Sequence, residues 1–282
     1  MQLRVMPNPV ISPFTPLFFP SQKADGTESA YIQTFATTDQ ILIELIGPSV
    51  WTGRGVVENI TNGSSFIIQW QLWDINEDTR LRFATLSLSP GFYTVSITGV
   101  GRCAVFRVTD DAGELENTTL IQYSNKDNRS RRDVVTWIDG MQYFFDYRVP
   151  GGFKDSNWTF GVESEQFVTD ESDIVQLYGL ESTQMKFTLG HAEGCPVWFA
   201  ELLNRLLTCD YVYFDGVRFA RKEASVPESS AVLEGINSFV FTQNLQKIAN
   251  IEPELTLEHQ AILRRVNTDS YRALTENTNR LI

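Results

Sequence analysis

Few residues in this chain are of types that do chemistry, and their spacing restricts them further. Only two histidines occur, His191 and His259. Neither stands at metal-ligand spacing from another His or from a Cys, which argues against a zinc centre. His191, Glu193 and Cys195 lie just ahead of an apolar segment that opens on Pro196. A histidine there could activate the Cys195 thiol, because a helix N-terminus lowers a thiol pKa. The bulky apolar run behind Pro196 fits packing better than catalysis, so Cys195 reads as a structural thiol. Asp74, Asn76 and Asp78 in WDINEDTR occupy the first three oxygen positions of a calcium loop. The glycine at the sixth position and the glutamate at the twelfth are missing, so the stretch reads as a polar loop between two strands. Asp170, Glu171 and Asp173 in TDESD read as a solvated acidic turn. Gly151-Gly152 lacks the lysine and the following helix of a phosphate-cradling loop. The sequence therefore predicts no catalytic, cofactor-binding or metal-ligating residue, and the chain reads as a non-enzyme.

Residues suited to contact rather than catalysis are more numerous. Arg129, Arg131 and Arg132 in NRSRRD could meet an anionic partner, although such a cluster is ordinarily a solvated loop. Trp51, Trp73 and Trp158 lie beside expected turns, where an indole ring could stack on a sugar. Core packing at strand ends is the ordinary use of such rings. Trp198 and Phe199 could form a ligand platform, but they belong to an apolar stripe that is expected to face inward.

The elements that must position these residues are mostly strands. With 282 residues the chain is long enough for two domains, each with its own core. A net charge of −12 opposes the diffuse attraction to phosphate on which nucleic-acid binding rests. The opening MQLRVMPNPVISPFTPLFFP is interrupted by five prolines and reads as an extended arm over residues 1–29, neither a signal peptide nor a membrane helix. Nowhere does the sequence offer an apolar run long enough for a membrane span.

Residues 30–110 carry short strands separated by turn signals: IQTFA, QILIELI, SFIIQWQLW, RLRFATLSL, FYTVSIT and CAVFRVT. That spacing predicts a β-sandwich, and the FYTVSIT strand with Gly99-Val-Gly101 behind it resembles the last hairpin of an immunoglobulin-like one. TDDAGELENTT, residues 109–119, has the composition of a linker and marks a domain boundary. A second β domain is expected over 116–250. Its strands are LIQYSN, a hairpin about Asp139-Gly140, WTFGVES, DIVQLYGL, MKFTLG, a hairpin about Asp215-Gly216, and SFVFTQNLQ. Pro150-Gly151-Gly152 reads as a breaker. Residues 196–208 carry Trp198, Phe199, Leu202, Leu203 and Leu206 at helical spacing, with Pro196 at the first helical position. LEHQAILRRV predicts a short helix in a C-terminal extension, residues 251–282. The three cysteines, Cys103, Cys195 and Cys209, fit a reducing compartment, and a straight helix holds the last two beyond disulfide reach.

The block LIQYSNKDN, WIDGMQYFFDYRVPGGFKDSNWTF, EQFVTD, DIVQLYGL, PVWFAELLNRLL and YVYFDGVRFARK resembles an uncharacterised protein family of Bacteroidetes phages and prophages over roughly residues 115–245. The resemblance implies no catalytic residues. It implies a structural role in a phage tail or baseplate, and hence location in the virion tail. Strands with one flanking helix are similar, at the level of fold, to the domain from which tail-tube and distal-tail proteins build rings. The expected partners are then copies of the chain in a ring-like homo-oligomer and neighbouring tail or baseplate proteins. The alternative is a carbohydrate-binding or adhesion module that holds a glycan on its Trp and Tyr rings.

Overall fold

The computed structural model describes residues 8–18, 31–168, 174–190, 194–222, 228–231 and 238–248. Among these the protein is mainly β, with several sheets and two short helices. The chain divides into a compact unit, Met1–Lys247, and a second, Ile248–Ile282, which lies almost wholly outside the described residues. The helix expected at LEHQAILRRV falls there.

In chain order the strands of the first half are β1 (Val10–Ile11), β2 (Gln33–Ala36), β3 (Ile41–Pro48), β4 (Gly55–Asn59) and β5 (Ser65–Ile67). They continue with β6 (Gln71–Asp74), β7 (Thr79–Leu86), β8 (Gly91–Ile97), β9 (Gly101–Arg102) and β10 (Phe106–Thr109). A one-turn helix, α1 (Ala112–Leu115), leads to β11 (Thr118–Ser124), β12 (Trp137–Ile138), β13 (Met141–Gln142), β14 (Phe145–Val168) and β15 (Ile174–Leu189). Helix α2 (Val197–Leu206) precedes β16 (Tyr211–Phe214), β17 (Val217–Arg221), β18 (Glu228–Ala231) and β19 (Phe239–Lys247).

The first ten strands form two sheets. One has the order β1-β3-β7-β6, the other β2-β10-β8-β4-β5, with β9 beside β8. Alternation along β3 explains why both of its faces are buried. Ile41, Ile43 and Leu45 join the core between the two sheets, with Val57, Val95 and Phe106, while Leu42 points the opposite way. Leu42 meets Leu81, Phe83, Phe14 and the interior of the second half, so the four-stranded sheet is a middle layer between two cores. Phe14, in the proline-rich opening segment, is fully buried there, and β1 pairs with β3. Described residues 8–18 are thus part of the folded unit.

The second half is a closed sheet. β14, β11, β16, β17 and β19 follow one another, and β15 pairs with both β14 and β19. Six strands thereby close into a barrel, which removes the open edges of the sheet. Its interior holds Tyr123, Phe145, Tyr147, Phe187, Phe214 and Leu245. The buried face of α2, Phe199, Leu202, Leu203 and Leu206, seals against them, as the helical spacing requires. The Asp139-Gly140 and Asp215-Gly216 turns have all four residues at positive φ (52°, 82°, 47° and 78°), the conformation of a tight type I′ hairpin.

Four expectations need correction. SFIIQWQLW is not one strand but two: β5 ends one sheet and β6 the other, so the chain crosses between sheets at residues 68–70. Pro150-Gly151-Gly152 does not break the chain but runs inside β14. Gly151 lies at φ 123°, and a Cβ there would collide with the carbonyl oxygen of Thr188, so the glycine serves close strand approach. Pro196 sits at the N-cap, one residue before the helix. The stretch 109–119 is not featureless: Asp111 caps α1 by accepting from the backbone N–H groups of Gly113 and Glu114.

Candidate interaction surface

The residues with candidate chemistry stand apart in the fold. Asp74 pairs with Arg80 across the β6–β7 hairpin, and the carboxyl is held below its usual value by that hydrogen bond. Asn76 Oδ1 accepts from the backbone N–H groups of Asp78 and Thr79 at 3.0 and 2.9 Å. The three residues are turn-forming, as a polar loop requires. Among the described residues no group of three or more His, Cys, Asp or Glu side chains could hold a metal ion. Asp170, Glu171, Asp173, His191, Glu193 and His259 lie outside the described residues. Cys195 is fully buried, and burial pushes its thiol up to about 12, so at neutral pH it stays protonated rather than a nucleophilic thiolate. Cys103 is buried and Cys209 half-buried, and all three thiols are free.

The contact candidates are mostly used inside the molecule. Arg131 forms a bidentate pair with Asp133 and lies over the Phe14 ring at 4.7 Å, so this arginine fixes the opening segment to the barrel layer. One face of Trp51 is covered by the Arg82 guanidinium at 5.0 Å, and Arg82 also donates to the carbonyls of Pro48, Ser49 and Trp51. Trp73 packs against the barrel-side core. Phe199 is buried there too. Trp158 differs from these tryptophans, being exposed and stacked on Phe160 at 5.9 Å between centroids.

Trp158 and Phe160 belong to a feature that the sequence did not single out. Among the described residues β14 pairs with β11 over Phe145–Pro150, and β15 pairs with β19 over Thr183–Leu189. Beyond those registers β14 and β15 pair with each other alone among the described residues, as far as Val168↔Ile174. They form a two-stranded ribbon, Gly161–Val168 against Ile174–Ser182, that runs on from the barrel by roughly 25 Å, at about 3.3 Å per residue, with Trp158 and Phe160 at its base opposite Met185 and Thr183. Alternate residues of β14 share a face, and on one face stand Trp158 (37% exposed), Phe160 (75%), Val162 (69%) and Val168 (63%), with the polar Ser164 and Gln166 and a register shift at Glu165/Gln166 between the last two. An isolated two-stranded ribbon is marginal in water, and an apolar face of this size marks a contact surface. Only the pairing registers distinguish WTFGV from any half-buried strand, which is why its alternation alone did not reveal it.

Polar contacts fix the base of the ribbon to the middle layer. Arg148 forms a two-pronged ion pair with Asp39 at 2.7 and 2.8 Å, with Asp39 almost fully buried. Two residues before it, Asp146 accepts from the Gln40 backbone N–H at 2.7 Å and from the Gln122 amide at 2.9 Å. Burial raises the Asp146 pKa. Between the layers Glu44 is fully buried, with Oε2 accepting from the Val135 N–H at 3.4 Å, and burial pushes its carboxyl up to about 8. A hollow of about 450 Å³ opens beside the barrel, bordered by Glu116, Gly151, Gly152 and Lys154. It gathers one acid and one base among backbone and presents no convergent catalytic set.

No family model matches the chain. No curated protein matches it. A solved structure described as the crystal structure of Dpr2 Ig1-Ig2 in complex with DIP-Theta Ig1-Ig3 is similar over 82% of this chain and 92% of that one, at 7% identity and a TM-score of 0.17. A superposition that poor carries no argument about fold or partners. No helix among the described residues is long and apolar enough to cross a membrane.

Proposed function

We propose that this protein is a structural component of a phage tail or baseplate, or of a related injection apparatus, located in the virion tail. It assembles as a symmetric oligomer through protein–protein contacts and does not act as an enzyme. The observation that carries this reading is the apolar ribbon of β14 and β15. A long amphipathic hairpin anchored to a closed barrel by a buried Arg148–Asp39 pair is a rigid arm for reaching a neighbouring subunit. The resemblance of residues 115–245 to phage and prophage proteins gives that neighbour its setting.

Two finer readings of fold belong with the proposal. The first ten strands form an immunoglobulin-like sandwich. In support, β2 lies parallel to β10 at one side of its sheet, while the facing sheet has the order β1-β3-β7-β6. Tyr93, near the start of β8, donates its hydroxyl back to the Ser89 carbonyl at 2.9 Å, the geometry of a tyrosine corner. The second half is similar to a tail-tube or distal-tail domain, a reading supported by its closed sheet with α2 packed on it.

The alternative is a carbohydrate-binding or adhesion β-sandwich protein. Trp158 and Phe160 are the rings that favour it, because they are exposed and stacked. Mass spectrometry of tail particles purified from a host that carries the gene tests the first reading. Stoichiometric recovery of the chain in those particles supports it. Absence from intact tails, with saturable glycan binding lost in Trp158→Ala, favours the second.

A further inference from the structure

Resting on the assembly reading, we infer that the β14–β15 ribbon docks head-to-tail onto the open edge of a second copy of this chain, at β5 and β6. The ribbon brings the apolar face of Trp158, Phe160, Val162 and Val168. The acceptor is where the chain crosses between the two sheets. Among the described residues β5 ends its sheet, paired with β4, and β6 ends the facing sheet, paired with β7. Phe66 (48% exposed), Ile67 and Leu72 (56%) stand on these edges. Edge strands in soluble proteins are ordinarily protected by charge, proline or a covering segment. Here Phe66, Ile67 and Leu72 stand exposed on the edges, and the one charge of β6, Asp74 at its end, is paired with Arg80. Ile67 and Leu72 are five residues apart, so their Cα atoms lie within about 18 Å, inside the footprint of a ribbon of roughly 25 Å.

Both surfaces are exposed in the same chain, so the chain does not cover one with the other. A ribbon-to-ribbon dimer would bury the first and leave the second open, whereas one head-to-tail contact covers both. The ribbon exposes roughly 500 Å² on its four apolar residues, taking 150–250 Å² for a full aromatic side chain. The edge adds roughly 250 Å². With the polar share of an ordinary interface, the total passes the roughly 1,000 Å² that a specific contact needs. Among the described residues the outer backbone of β14 along the ribbon, Gly161–Val168, takes part in no strand pairing, and neither does the outer side of β5, so strand addition can supplement the apolar contact. A heterologous contact of this kind closes into a ring or extends into a filament. At a net charge of −12 the copies repel each other, so added salt strengthens the association.

The test mixes full-length Val162→Cys chains with full-length Leu72→Cys chains in the presence of a short bis-maleimide, alongside light scattering of the wild-type chain. All substituted side chains are exposed, so the variants fold. The expected result is a cross-linked dimer in the mixture and only background product from either variant alone. Phe160→Asp/Val162→Asp is expected to be monomeric with an unchanged melting temperature. Efficient self-cross-linking of Val162→Cys overturns the inference in favour of a ribbon-to-ribbon contact. A wild-type oligomer with no mixed product also overturns it, while the assembly reading stands. A wild-type chain that stays monomeric at every concentration overturns both.

Discussion

Replacing Glu44 by Gln should make the protein less sensitive to alkali, and the size of the effect follows from where the carboxyl sits. Glu44 lies on β3 between the middle sheet and the barrel-side core, fully buried. Its surroundings are the Ser12 hydroxyl, the Thr15 hydroxyl that accepts from the Glu44 backbone N–H, and the Val135 N–H. Burial raises the carboxyl from 4.5 to about 8. A raised folded-state pKa means that the native state holds the proton more tightly than the unfolded chain. Stability from this group is therefore fully present below about pH 4.5 and is lost as pH rises through 8. The loss runs at about 1.4 kcal/mol per pH unit between those limits, roughly 3–4 kcal/mol from pH 5 to pH 8. Glutamine keeps an oxygen for the Val135 N–H and cannot ionise. The stability difference between Glu44→Gln and the parent should thus grow in the variant's favour by that amount and level off above pH 8.5 or so. In a unit of this size it corresponds to roughly 10 °C in melting temperature. Urea unfolding of both proteins from pH 5 to pH 9 measures it, and contributions from all other groups cancel in the difference. A difference that does not change with pH would refute the reasoning, whatever its constant offset.

The remaining predictions concern the joints of the fold. Asp39→Ala should destabilise by about 3–5 kcal/mol, because it leaves the Arg148 guanidinium buried and unpaired, and adding Arg148→Met should restore part of that loss in a double-mutant cycle. Phe199→Ala, at the centre of the seal between α2 and the barrel, should cost about 3–5 kcal/mol by denaturant unfolding, with near-UV circular dichroism reporting loosened aromatic packing. Gly151→Ala should lower the melting temperature markedly, since the added Cβ meets the Thr188 carbonyl at a positive φ. In thiol titration of the native protein Cys103 and Cys195 should react only on unfolding, with Cys209 the first of the three to be labelled.

The strand pattern was legible where one face is polar and the other buried, as in FYTVSIT and LIQYSN, because period-two alternation encodes that geometry directly. QILIELI was legible as a strand, but its run of apolar residues gave no sign that β3 serves two cores at once. That requires knowing that Leu42 meets Leu81 and Phe83 from one side and that Ile43 meets Val95 from the other. SFIIQWQLW misled because a continuous β-prone run carries no mark of a change of sheet. Pro150-Gly151-Gly152 misled because glycine permits close strand approach as readily as a turn. The closure of the barrel by β15 and β19 joins Leu189 to Phe241, too distant in sequence for local propensity to report. The ribbon was hidden for a related reason. Whether WTFGV is covered depends on where β11 and β19 stop pairing, which is a property of register and not of composition.

The most direct test of assembly as the function is the mass of the purified full-length chain by light scattering across concentrations, with electron microscopy of any large species. The account predicts a concentration-dependent, closed oligomer of defined size whose formation is abolished by Phe160→Asp/Val162→Asp. A strict monomer at every concentration and salt, in parent and variant alike, would contradict it.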